Sequence, residues 1–170
     1  MGAVRVLVIV CASLVLACGL IKAGHGVSAG EAMAPTIQAG DHFGYAGFGV
    51  EEIKRFDIVT YTRKPDPRRR IDEKTIFLSR VIGLPGETVE LNKGKVSING
   101  SALDESAYEK IADADSRKAM VVPENAYFLL GDNRPNSEDS RYIGPIERKN
   151  IVGIVSNIIR KADYDQGKRW

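Results

Sequence analysis

Hydrophobic and polar positions divide the chain into an apolar N-terminal run and a body of short strand-like segments. Residues Val6 to Ile21 form an uncharged run of sixteen between Arg5 and Lys22. With its flanking Ala and Gly residues the run reaches the lower limit for a membrane helix, about 17 residues. The pattern also fits a cleaved signal peptide with a short basic start, and Val15-Leu16-Ala17-Cys18 weakly matches a lipoprotein cleavage site. The favoured reading is an uncleaved membrane anchor over residues 1–24. Gly24, Gly26, Ser28, Ala29 and Gly30 then read as a small-residue link to the body.

The body, residues 25–160, is patterned for strands. Phe56 to Thr62 is rich in β-branched and aromatic residues, as a strand requires. Ile76 to Ile82, Thr88 to Leu91, Val96 to Ile98, Ala126 to Leu130 and Ile151 to Ile159 follow the same rule. Asn92-Lys93-Gly94-Lys95 and Asn99-Gly100 are turn sequences of hairpin type. Leu103 to Met120 differs: it lacks Gly and Pro and carries Leu103, Ala107, Tyr108 and Ile111 at helical spacing. A helix or an ordered surface loop is expected there. The charged tail, residues 161–170, is expected to fray. Many short strands with Gly and Pro turns predict a mainly β domain, coiled into an antiparallel barrel or sandwich.

Composition narrows the function classes. The 170 residues are 44% hydrophobic and 27% charged, with a net charge of +2. That balance gives no electrostatic case for nucleic acid. Arg68-Arg69-Arg70 reads as a solvated loop, or as a contact with anionic headgroups or a partner. Cys11 and Cys18 both lie in the apolar run, so no disulfide holds the body together. His25 and His42 have no metal-ligand spacing to Cys, His or carboxylates, and no metal or cofactor is expected.

Several motifs occur in order. They are Gly30-Glu31-Ala32-Met33-Ala34-Pro35-Thr36, the pair Gly40-Asp41, and Arg55-Phe56-Asp57-Ile58-Val59. Then come Ser79-Arg80-Val81-Ile82-Gly83-Leu84-Pro85-Gly86-Glu87 and Gly131-Asp132-Asn133-Arg134-Pro135-Asn136-Ser137-Glu138-Asp139-Ser140-Arg141. Together they resemble the conserved boxes of type I signal peptidases, membrane serine proteases that remove signal peptides. In that family the first box reads Gly-Asp-Ser-Met-x-Pro-Thr and supplies the nucleophile. The fourth reads Lys-Arg-Val-Ile-Gly-Leu-Pro-Gly-Asp and supplies the general base. This chain has Ala32 at the nucleophile position and Ser79 at the base position, and Phe56 where the third box has Gly.

The resemblance implies a signal-peptidase fold in which Ser137, Asp139 and Arg141 are retained neighbours of a vestigial site. It implies peptide contacts at Met33, Ala34, Pro35, Ile37 and Ile82, against an open strand edge beside Ala34 to Ile37. A methyl group cannot attack a carbonyl, and an unperturbed serine hydroxyl is no base at neutral pH. The expected protein is a non-catalytic, single-pass membrane homologue with its domain on the extracytoplasmic face of a bacterial cell. It would bind exported-protein or pilin segments for assembly or chaperoning, as signal-peptidase-like pilus proteins do. A sortase or an active signal peptidase paralogue would be its protein partner. The alternative is a type I signal peptidase carried in inactivated form.

Overall fold

The structure, a computed structural model, describes residues 23–47, 52–69, 71–72 and 74–169. The apolar run expected as an anchor lies outside the described residues, as does Arg70. Among the described residues no helix is long and apolar enough to cross a membrane.

Among the described residues eleven strands form two antiparallel sheets. In chain order they are β1 (Ala23–Val27), β2 (His42–Gly47), β3 (Ile58–Tyr61), β4 (Phe77–Gly83), β5 (Thr88–Asn92) and β6 (Lys95–Ile98). There follow β7 (Ser101–Ala102), β8 (Arg117–Val121), β9 (Ala126–Leu130), β10 (Ile146–Glu147) and β11 (Ile151–Ile159). The larger sheet runs β1-β2-β11-β3-β4-β9-β10 and the smaller β7-β6-β5-β8. Register shifts interrupt β11 against both β2 and β3, and also β4–β9 and β5–β8. Bulges of this kind add twist, and they curl the sheets around their contents.

Strand β9 is buried along its whole length, which explains its unbroken apolar run, whereas β4 is apolar on either side of Ser79 and Arg80. Ile82, Phe128 and Leu130 pack on Val89, Leu91, Val96 and Ile98 of the smaller sheet. Val81, Tyr127 and Leu129 pack in the opposite direction, with Ile53, Val59, Ile146 and Ile151. The hairpin turns form as expected, with left-handed Lys93 and Gly94 and again Asn99 and Gly100. Two such residues in succession match the right-handed twist of the flanking strands.

Four expectations need correction. The small-residue link forms β1, paired to β2 from Ala23↔Ala46 to Val27↔His42. A Cβ on Gly24 would lie 2.4 Å from the Tyr45 ring, and one on Gly26 2.6 Å from the Phe43 ring. Aromatic rings thus fold over the glycines, a packing that spacing alone does not reveal. The strand expected over Phe56 to Thr62 shortens to Ile58–Tyr61, because Phe56 is left-handed at φ 73. That conformation costs an L-residue about 1–2 kcal/mol, which is why glycine suits the position. The Phe56 ring packs on Tyr108, with centroids 5.5 Å apart.

Of the helix or ordered loop expected over Leu103 to Met120, the loop forms over residues 103–116, and the end of the segment is instead strand β8, Arg117–Val121. Finally, the charged tail contains a short helix, α2 (Lys161–Asp165), after α1 (Ser140–Ile143). Asp41 anchors that tail, accepting from Arg160 Nη1 at 2.7 Å and from the Lys161 amide at 2.9 Å. Tyr164 stacks on His42 at 3.4 Å.

Candidate functional site

The first box folds as a compact turn. Ala34 N–H donates to Glu31 O at 3.1 Å and Ile37 N–H to Met33 O at 2.8 Å. These bonds point Ile37 into the interior, where it is fully buried. Residues from the last box clamp the turn from behind. Asn133 N–H donates to Ala32 O at 3.0 Å, and Thr36 Oγ1 donates to Asp132 Oδ2 at 2.5 Å. Gly131 permits the close approach: a Cβ there would lie 2.5 Å from Ala32 O and 2.3 Å from Ser137 Oγ.

Strand β4 supplies the opposite wall. Phe77, Leu78 and Ser79 pair with Tyr61, Thr60 and Val59 on one side. On the other side pairing with β9 begins only at Arg80↔Leu130. Among the described residues the Phe77–Ser79 edge is therefore unpaired within the sheet, and it faces a groove of about 440 Å³. Ala32, Ser79 and Ser137 all line that groove, so positions far apart in sequence meet in one place. Apolar Val27, Met33, Phe43, Ile76, Phe77 and Leu78 are among its walls.

Of the five expected peptide contacts, only Met33 lines the groove. Ala34, Ile37 and Ile82 are buried in the interior, and Pro35 faces a different cavity with Thr36, Arg80 and Arg160. Ala34 to Ile37 forms a hydrogen-bonded turn, and the open edge belongs to β4. Sequence reasoning missed Tyr61, Arg63, Phe43 and Glu138 as groove residues. Phe43, Tyr61 and Arg63 come from β2, β3 and the residues just beyond β3, which no local pattern marks, whereas Glu138 lies inside the last box itself.

Ser79 is buried, and its hydroxyl meets Tyr61 OH at 3.4 Å. Burial pushes the Tyr61 phenol above its ordinary value of 10.0, so it keeps its proton at neutral pH. Arg63 is the one cation lining the groove among the described residues. It pairs with Glu138 at 2.8 Å and lies over the Phe77 ring at 4.4 Å. A guanidinium offers no lone pair to a proton. Ser28 Oγ is committed to Gly30 O at 3.1 Å.

Behind the groove stands a buried polar frame. Asp139 accepts from Arg141 Nε at 2.8 Å and Nη2 at 2.9 Å, and from Gly131 N–H at 2.9 Å. Burial opposes the charge on Arg141, but Asp139 and Asp113 outweigh it and hold the guanidinium firmly protonated. Arg80 bridges to Asp132 through Nε at 2.8 Å and Nη2 at 2.6 Å. Arg134 reaches Gly131 O at 3.0 Å and bonds Glu105 and Tyr108 from the 103–116 loop. Burial raises the Glu105 carboxyl, yet bonds from Lys110, Tyr108 and Arg134 hold it below its ordinary value of 4.5. The 103–116 loop is thus a strap across the box. Among the described residues no cluster of His, Cys, Asp and Glu could hold a metal ion.

A β fold whose Gly131-to-Arg141 box braces a turn against an open strand edge defines the signal peptidase class. The chain belongs to the family described as signal peptidase, peptidase S26, whose model matches residues 1–159. It is 36% identical over 143 residues to signal peptidase I V of Bacillus subtilis (strain 168), covering 75% of this chain and 80% of that one. It is 34% identical over 130 residues to signal peptidase I of Leptolyngbya laminosa, covering 72% of this chain and 62% of that one. A crystal structure of a signal peptidase I from Enterococcus faecalis V583 is 33% identical, with a TM-score of 0.49, over 63% of this chain and 99% of that one.

Proposed function

We propose that this chain is a membrane-anchored, signal-peptidase-I-like protein that holds exported-protein or pilin segments without cutting them. Its place is the extracytoplasmic face of a bacterial cell membrane, where it assists assembly or chaperoning. The observation that carries this reading is the content of the groove. It gathers positions 32, 79 and 137 beside an open edge of β4, yet among the described residues its lining includes no amine or imidazole to act as base. An extended peptide gains main-chain hydrogen bonds by joining such an edge, and those bonds do not depend on a nucleophile. The relatives' names, all signal peptidase I, support exported preproteins as the ligand class. A sortase or an active signal peptidase paralogue is the protein that would take over the held segment.

Mass spectrometry of a preprotein with an Ala-x-Ala site tests the reading. The unaltered chain and Ala32→Ser are expected to leave it intact, since loss of a catalytic nucleophile or base costs up to about a millionfold. Ala32→Ser/Ser79→Lys is expected to cut it. Cleavage by the unaltered chain overturns the non-catalytic reading. Failure of the double variant removes the argument that the groove still seats signal peptides.

A further inference from the structure

The connection between β3 and β4 carries charge that the groove does not use. Its cations, Arg63, Lys64, Arg68, Arg69, Arg70 and Lys74, outnumber Asp66, Asp72 and Glu73 two to one. Asp66 and Asp72 are turned onto the connection's own backbone. Asp66 accepts the Arg68 amide at 3.0 Å. Asp72 accepts the Lys74 amide at 3.0 Å and the Thr75 hydroxyl at 2.7 Å. Reciprocal backbone bonds between Asp66 and Ile71, at 2.9 and 3.0 Å, close the loop, and buried Ile71 pins it to the body. Arg63 is held by Glu138 at 2.8 Å. Lys64, Arg68 and Lys74 are exposed and form no ion pair among the described residues. Carboxylates brace the loop, and cations are left on its outside.

The loop also has a defined position. Thr75 and Ile76, which follow Lys74, line the groove together with Val27 of β1. Val27 and Ile76 are apolar yet 55% and 40% exposed. Val27 stands six residues after Ile21, the end of the apolar run, and six residues span at most about 20 Å. On the membrane-anchored reading above, this end of the domain lies beside the bilayer.

We propose that the loop from Lys64 to Lys74 docks on anionic lipid headgroups, with Lys64, Arg68 and Lys74 engaging phosphate and Val27 and Ile76 resting at the apolar boundary. This rests on the membrane-anchored reading. Cations beside exposed apolar side chains suit a lipid interface, whereas an acidic protein would match the charge alone. Each cation near an anionic bilayer strengthens the contact about fivefold. The anchor keeps the loop at high local concentration, so a modest attraction suffices. Docking would hold the groove mouth at the bilayer surface.

The test uses the full chain as Cys11→Ser/Cys18→Ser/Pro65→Cys, with a fluorophore at the new thiol on the exposed side of the loop. It is reconstituted in phosphatidylcholine vesicles with or without phosphatidylglycerol, and headgroup-nitroxide lipid serves as a short-range quencher. Strong quenching is expected with phosphatidylglycerol, weak quenching without it, and a loss of the difference as salt screens the charges. Adding Arg68→Glu/Lys74→Glu is expected to lower the docked-to-free ratio about 25-fold, whereas Arg68→Lys retains docking. Both positions are exposed, so the melting temperature is expected to stay unchanged. Equal quenching in the two vesicle types, or unchanged quenching in the charge-reversed chain, overturns the docking and leaves the anchor intact. A chain that floats with neither vesicle type overturns the anchored reading and the docking with it. If an acidic peptide shifts the emission in neutral vesicles and phosphatidylglycerol does not, the loop binds a protein and the proposal falls.

Discussion

Asp139 shows how one side chain can hold a site together. Its two oxygens accept four bonds, from the amides of Gly131 and Arg141 and from two nitrogens of the Arg141 guanidinium. Both side chains are wholly buried. Breaking a buried pair by deleting one partner strands the other charge, at a cost of about 3–5 kcal/mol. Asp139→Ala is therefore expected to lower the melting temperature sharply, although Asp113 would still face Arg141. An unchanged melting temperature would show that the pair is dispensable. The partnership of Asp139 with Arg141 was legible in the motif. Asp113, lying 28 residues earlier in the sequence, was not.

At the scale of elements, the groove depends on how closely the turn around Ala32 can press on the end of β9. Gly131 sets that distance. Gly131→Ala would drive a methyl group against the Ala32 carbonyl and the Ser137 side chain, and overpacking of this kind costs about 1–3 kcal/mol. The expected outcome is a destabilised protein whose affinity for an Ala-x-Ala peptide falls further than global stability requires, read by anisotropy beside denaturant unfolding. Wild-type affinity in that variant would show that the turn adapts freely. The strap over residues 103–116 makes a related point. Leu103, Ala107, Tyr108 and Ile111 are spaced for a helix, yet Tyr108 packs on Phe56 and bonds Glu105, and Ile111 bridges to Asn133. Tertiary contacts with the box outweigh the local preference.

For the molecule as a whole, the depressed carboxyls determine its response to acid. Glu105, Glu87 and Asp41 all titrate below their ordinary values: burial opposes ionisation, and Arg, Lys or amide donors outweigh it. A depressed group contributes stability that is complete above its unfolded pKa and is lost as pH falls through the folded one. Stability is expected to hold level at neutral pH and to decline once pH drops below about 4.5, the ordinary value for Glu. Glu105→Gln should lower stability at neutral pH and flatten that acid limb. Urea midpoints between about pH 6 and about pH 3 measure it, and an equally steep limb in the variant would remove Glu105 from the account.

The sequence by itself determined the family frame, the mainly β class, the two hairpin turns and the central strands β4, β5, β6, β9 and β11. Those features are local: apolar runs, turn dipeptides and contiguous boxes state them within a few residues. It also brought forward Ala32 and Ser79 as the positions where chemistry is expected and its residues are missing. Only the tertiary structure decided what surrounds them. The pairing of β3 with β4 put Tyr61 against Ser79, and the clamp from Asn133 and Asp132 fixed the turn around Ala32. The end of β9 at Leu130, opposite Arg80, left the Phe77–Ser79 edge open. Each of these depends on residues tens of positions apart meeting at hydrogen-bond or van der Waals range, and no local pattern of side chains encodes which distant backbone will be there.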